Sequence, residues 1–388
     1  MQATFNTADF FNALQSVKPA LNLKGKAYLN DCVTIEAAKD SILITTENDD
    51  SRIVSRVPAE VTAPESIESL NYQALDSAAK SAKSAKVADA TLSTDYDVIF
   101  QGAATQKIEN AKHGSRPMRK QVESFPQNCL EVDRAELLRV AERMAFCAGD
   151  ASHDGLSCIQ LDFSDSRLLM SALNGHQCYS LTLQGEQYGA FSPGGNATLP
   201  RPDQFAQWVR AIPKSEKTIR LSATEDHFFA ASQNSVYTSV FSPYNAIDIS
   251  NFMVRREREA KSSVTFSRSG LVAILKTLLP SVTNDDRSIV FNFDDCKCSI
   301  MTHNRRASAE MPCEFYGDVN IIAFPLKNLL QIVENTTGDF VTLEFTNNVG
   351  PCFIGDGWRG VYVIMPMKIL QSWHPDNCEA EDRQSQAA

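Results

Sequence analysis

Residues 7–21, TADFFNALQSVKPAL, decide how the whole chain is read, because the same plan returns twice. Phe10, Leu14, Val17 and Leu21 fall on one stripe at helical spacing. Thr7 supplies an oxygen for the free N–H groups of a helix start. Two counterparts follow: DRAELLRVAERMAF from Asp133, with Leu137, Ala141 and Met144 in line, and SRSGLVAILKTLLP from Ser267, with Leu271, Leu275 and Leu278. After each comes a strand-rich segment holding a polar turn: SILITTENDDSRIVSRV (41–57), SRLLMSALNGHQCYSLTL (166–183) and CKCSIMTHNRRASAEMPC (296–313). Asn48, Asn174 and Asn304 mark the turns, 126 and 130 residues apart, and Asn tolerates the left-handed backbone of tight hairpins.

A second helix follows at NYQALDSAAKSAKSAK from Asn71, RPDQFAQWVRAIPKS from Arg201 and PLKNLLQIVENTTGD from Pro325. Leu92, Leu221 and Leu343 stand at matching places in the closing strands. The chain is therefore three similar domains of roughly 125 residues, each ordered strand, helix, strands, helix, strands. That period is far beyond a solenoid repeat, so each unit owns a core. Helices set among antiparallel strands predict an α+β fold rather than a doubly wound parallel sheet.

Bulk composition narrows the class. The 388 residues are 43% hydrophobic and 22% charged, ordinary for a soluble globular chain. No apolar run approaches the roughly 18 residues that span a bilayer, and the N-terminus lacks the basic start and apolar block of a signal peptide. The ten cysteines are scattered, so free thiols in the cytoplasm are expected rather than a disulfide framework.

The net charge of −10 argues against a surface that is basic throughout, but the six helices together carry a formal +6. Lys80, Lys83 and Lys86 span an arc of about 120° on one helix, opposite Leu75, Ala78 and Ala82. Two readings fit: a solvated face, or a surface that meets phosphates without reading bases.

The ending, YVIMPMKI (362–369), resembles the Tyr-Val-Val-Met-Pro-Met-Arg-Leu strand that closes the bacterial DNA polymerase III beta subunit, the replication sliding clamp. LLMSALNGHQCY is similar to that family's Val-Ala-Thr-Asp-Gly-His-Arg-Leu segment. The stretch from Leu29 to Val61 resembles its first strand-hairpin-strand. The resemblance covers residues 1 to about 370, strongest at the end.

It implies clamp domains at 1–125, 126–254 and 255–370, with an acidic tail at 371–388 expected to be disordered. It further implies a DNA clamp fold, closed as a six-domain ring by a head-to-tail homodimer around double-stranded DNA, with no catalysis and no cofactor. DNA-facing candidates are Lys24, Lys26, Lys80, Lys83, Arg139, Arg143, Arg210, Lys214 and Lys276. A pocket between the middle and last domains would take short peptides from DNA polymerase, clamp-loader and repair proteins. The matching positions are Leu156, Leu173, Gly175, His176, Gln177 and Cys178, then Val363, Met365, Pro366, Met367 and Lys368. Met253 and Val254 sit where the connecting segment contributes. Met suits a wall that adapts to several ligands, although packing of a last strand also explains Met365 and Met367. Leu173, Gln177, Cys178 and Lys368 depart from the family's Thr, Arg, Leu and Arg, which predicts a shifted peptide preference. Trp373 in the tail is placed to compete with such peptides.

Other signals carry less. No Gly-rich phosphate loop with Lys-Ser/Thr occurs. Cys296 and Cys298 are expected on one strand face without a second zinc-type pair, and His153-Asp154 sits in a turn-like stretch. KHGSRPMRKQ (112–121) and RREREAK (255–261) read as solvated linkers or edge contacts. Two rival readings stand: a clamp-like peptide-binding regulatory protein that does not encircle DNA, and an enzyme on an unrelated three-domain scaffold.

Overall fold

The computed structural model describes residues 2–21, 32–62, 65–94, 98–109, 125–149, 155–164, 167–189, 195–244, 261–282, 287–294 and 296–369. Lys24, Lys26, Met253, Val254, His153, Asp154, the linkers 112–121 and 255–260, and the tail with Trp373 lie outside those residues.

One element order recurs three times. The first repeat runs β1 (Gln2–Asn6), α1 (Thr7–Val17), β2 (Cys32–Ala38), β3 (Ser41–Glu47), β4 (Ser51–Val61), β5 (Ser66–Asn71), α2 (Tyr72–Ser84), β6 (Asp89–Thr94), β7 (Val98–Gln101) and β8 (Thr105–Ile108). The second runs β9 (Cys129–Asp133), α3 (Arg134–Cys147), β10 (Ile159–Ser164), β11 (Arg167–Leu173), β12 (Gln177–Leu183), β13 (Glu186–Tyr188), β14 (Gly195–Leu199), α4 (Pro202–Ala211), β15 (Thr218–Ala223), β16 (His227–Ala231) and β17 (Ser235–Val240). The third runs β18 (Ser262–Ser267), α5 (Arg268–Leu278), β19 (Ser288–Asp294), β20 (Lys297–Thr302), β21 (Ser308–Pro312), β22 (Glu314–Tyr316), β23 (Ile321–Pro325), α6 (Leu326–Asn335), β24 (Phe340–Phe345), β25 (Cys352–Gly355) and β26 (Val361–Ile364). The fold is α+β, as the order of elements predicts.

By contacts the chain forms two units, residues 1–170 with 183–246, and 171–182 with 247–388. In the first, antiparallel strands follow the order β13-β9-β15-β16-β17-β4-β1-β6-β7-β8, with β3, β2 and β5 branching from β4. In the second, β12-β26-β25-β24-β18-β22 form one antiparallel series and β21-β20-β19-β23 another. Leu92, Leu221 and Leu343 do occupy equivalent places: each lies opposite the opening strand of its repeat, facing Ala3, Leu130 and Val264.

Each repeat owns an aromatic core. Phe5 stacks on Phe10 at 4.3 Å, Phe205 meets Phe228 at 5.6 Å, and Phe291 meets Phe324 at 5.8 Å. The helix stripes supply the other layer, since Leu14, Leu137 and Leu271 are all fully buried.

Local chemistry corrects two details. α1 is capped by Asn6, whose Oδ1 accepts from the Ala8 and Asp9 amides, while Thr7 is buried as the first helical residue. The turn asparagines work through their side chains rather than through left-handed backbone. Asn48 Oδ1 accepts from the Asp50 and Ser51 N–H groups, Asn174 Oδ1 from His176 and Gln177, and Asn304 Oδ1 from Arg306. The left-handed residues are their neighbours Gly175 (φ 85°) and Arg305 (φ 55°). Asn48 also donates from Nδ2 to the Ala20 carbonyl at 3.0 Å and to Gln204 Oε1 at 3.2 Å, fastening the first repeat's turn to α4. Asn48→Ala should lower unfolding free energy by about 2–3 kcal/mol in urea, because it orphans several buried groups together. A loss under about 0.5 kcal/mol would show that this fastening carries little.

Candidate functional site

Two surfaces hold most of the expected residues that the structure describes. The first is cationic. On α2, Tyr72, Leu75, Ala78, Ala79 and Ala82 are buried and Lys80 and Lys83 are exposed, as the spacing predicts. Lys83 Nζ lies 4.2 Å above the Phe11 ring and 3.5 Å from Asn12 Oδ1, so its charge is held close to α1. Lys86 lies past the helix end in the left-handed region (φ 58°), off the expected arc.

Arg139 and Lys214 are exposed, with Lys214 in the turn after α4. Arg210 and Lys276 are exposed too, and both make ion pairs: Arg210 Nη2 lies 2.9 Å from Glu142 Oε1 and Lys276 Nζ 2.8 Å from Glu334 Oε1. Arg143 is the correction. It is buried at 4% exposure on the inner side of α3, because its position shares the face of Val140 and Met144, and so it does not present a free cation.

The second surface lies in the second unit, where β12 pairs with β26. Cys178 faces Val363 and Gln177 faces Ile364, and the chain continues as Met365 N–H donates to the His176 carbonyl at 3.0 Å. Met367 N–H then donates to the Ala323 carbonyl at 2.8 Å. These bonds hold 363–368 against the turn at 174–177. Leu173 and Pro366 are half-buried, Gln177 and Val363 are buried, and Gly175, His176 and Lys368 are exposed. Met365 and Met367, just past β26, expose 37% and 36% of their surface. Leu156, the remaining expected wall, is half-buried on the short turn Gly155–Ser157 in the first unit.

Behind this surface stands a group the sequence reading missed. Asp356 is fully buried; its Oδ2 accepts from Tyr179 Oη at 2.9 Å and its Oδ1 from the Trp358 and Gly360 amides at 2.8 and 3.0 Å. A Cβ on Gly360 would lie 2.2 Å from Tyr179 Oη, so the loop 356–360 closes onto that ring only with glycine. The sole sequence signal was the Asp-Gly pair at 356–357, which suggests a turn and nothing of its burial.

Burial pushes the Cys178 thiol up to about 12, and raises Cys298 and Cys352 as well. Such thiols ionise from their ordinary value of 9.0 in the unfolded chain and later in the folded one. Stability is therefore complete below about pH 9 and falls as pH rises toward 12. Urea midpoints at pH 8.5 and 10.5 should differ by that loss, and equal midpoints would contradict it. Cys296 and Cys298 do not share a face: Cys296 precedes β20 and is exposed while Cys298 is buried. Among the described residues no cluster of three His, Cys, Asp or Glu side chains could hold a metal ion, and no helix is long and apolar enough to cross a membrane.

A cavity of about 700 Å³ lies elsewhere, in the first unit where the turn after β3 meets α4. Two of its charged lining residues pair with each other, Arg201 Nε to Asp50 Oδ2 at 2.9 Å.

This arrangement of elements is that of the bacterial replication clamps. The chain matches the DNA polymerase III beta subunit of Thermotoga maritima with a TM-score of 0.81 at 16% identity, over 95% of this chain and 100% of that one. It matches the Pseudomonas aeruginosa DNA polymerase III subunit beta at 0.80 and 15% identity, with the same coverage. The Bacillus subtilis DNA polymerase sliding clamp gives 0.80 and 15%, also over 95% and 100%. No protein-family model matches the sequence, and no curated protein matches it. At this identity the likeness establishes the clamp fold.

Proposed function

We propose that the chain is a sliding clamp: two copies join head to tail into a six-domain ring that encircles duplex DNA and tethers polymerase and other partners without catalysis. The domains are 1–125, 126–254 and 255–370. One observation carries the reading. The strand after the first Asn turn, β4, pairs with the last strand of the second repeat, β17, and the strand after the second turn, β12, pairs with the last strand of the third, β26. Among the described residues the third such strand, β21, and the last strand of the first repeat, β8, are both edges of their sheets. A second copy supplies each with its partner, which also disposes of two open edges.

Within such a ring Lys80, Lys83, Arg139 and Lys214 meet phosphates weakly and without sequence preference, which permits sliding. Peptides from polymerase and loader seat on 173–178 and 363–368, with Met365 and Met367 as the adaptable wall. The test is solution mass by light scattering, followed by retention on circular and linearised DNA with a loader. A mass of twice 42.8 kDa, with loss from linear ends only, supports the ring. The alternative, a clamp-like peptide-binding regulator off DNA, draws on the neutralised state of Arg210 and Lys276. A monomer that binds peptides and is never retained on circles would select it.

A further inference from the structure

We infer that Arg306 of one copy and Glu109 of the other form the ion pair that determines which edges mate at the junction between copies. The inference rests on the head-to-tail pairing proposed above. In both junctions inside the chain, the residue three past the turn Asn faces a buried residue near the end of a last strand: Ser51 faces Ser239, and Gln177 faces Ile364. The residue one earlier accepts a backbone bond: the Asp50 carbonyl from Val240 N–H at 2.9 Å, the His176 carbonyl from Met365 N–H at 3.0 Å.

The third turn continues the series with Ala307 in the place of Ser51 and Gln177. On β8, Ile108 is the counterpart of Ser239 and Ile364. It is the last buried residue of its strand and lies opposite Val98, as Ser239 lies opposite Phe228 and Ile364 opposite Cys352. Ala307 then faces Ile108 of the second copy, and Arg306 faces Glu109. Side-chain parity agrees. Ala307 and Ala309 are half-buried while Arg306 and Ser308 are exposed; on β8 Ile108 is buried and Lys107 exposed, and Glu109 just past the strand is exposed as well. Residues directly opposite share a face, so a slip by one would set buried Ile108 against an exposed side chain.

The sign of the charges gives this register its consequence. At the first junction the turn brings a carboxylate, Asp50, to a cation, Arg201, which caps α4. The counterpart of Arg201 is Asn71, the cap of α2, and its N–H bonds the Glu109 carbonyl at 3.2 Å. At the junction between copies, then, the turn brings a cation to a carboxylate. Polarity is reversed, so the acidic first turn is repelled from the edge that the basic third turn fits, and only one mating is favoured. Opposed charges on facing strand positions attract and like charges repel.

The experiment uses charge reversal in the full chain at 50 mM salt, with mass and dimer dissociation constant measured by light scattering and sedimentation. Arg306→Glu alone and Glu109→Arg alone should each weaken the dimer about tenfold or more, with unchanged melting of the monomer fold. Mixing the two variant chains should restore the wild-type constant, because each junction of the mixed ring then pairs Glu with Arg. Wild-type dimer with both variants indifferent, or no recovery on mixing, overturns the ion pair and leaves the ring intact. A wild-type chain that stays at 42.8 kDa overturns the ring itself.

Discussion

Asp356→Ala should lower unfolding free energy by about 3–5 kcal/mol, the largest stability effect expected of any polar substitution in the second unit. The carboxylate is fully buried and accepts from Tyr179 Oη and from the Trp358 and Gly360 amides. Removing it strands three donors, one of them a phenol packed 4.6 Å from the Tyr362 ring. Both tyrosines sit at facing positions of β12 and β26, directly beside the candidate peptide surface. Peptide affinity should therefore fall together with stability. Asp356→Asn keeps one acceptor and should recover most of the loss. Denaturant midpoints of the three proteins decide it, and a loss under about 1 kcal/mol for the alanine variant would mean that water substitutes for the carboxylate.

In the ring proposed above, Lys107→Pro should convert a dimer of twice 42.8 kDa into monomer. In the register argued above, Glu109 N–H points to the second copy, and by the two-residue period so does Lys107 N–H. Proline there removes an outward donor and puts a ring on the mating edge. The control is Ser93→Pro on β6, which lies between β1 and β7 and should instead unfold the first repeat. Retention on circular DNA should vanish with Lys107→Pro, since an open chain has no topological hold. A variant that remains dimeric would place the interface elsewhere.

Much of the fold was legible because helix faces and strand turns depend on spacings within about a dozen residues. The stripes Phe10/Leu14/Val17, Leu137/Ala141/Met144 and Leu271/Leu275/Leu278 are buried as their periodicity predicts. The lysine face of α2 was equally legible, since alanines at 78, 79 and 82 leave only one side for charge. Arg143 was not, because a helix stripe shows which face is inward but not how wide the buried arc becomes once α4 packs on α3.

Taken alone, the sequence determined the threefold order of elements, the helix faces and the positions of the turn asparagines, all set by local hydrogen bonding and period. Only the tertiary structure decided which strands mate across repeats, that Arg210 and Lys276 are neutralised by Glu142 and Glu334, and that Asp356 is the buried anchor of the last strand. Those partners lie from 58 to 188 residues apart in the chain; nothing in a local window specifies them, because pairing over such distances is chosen by the joint burial of whole faces rather than by the residues between.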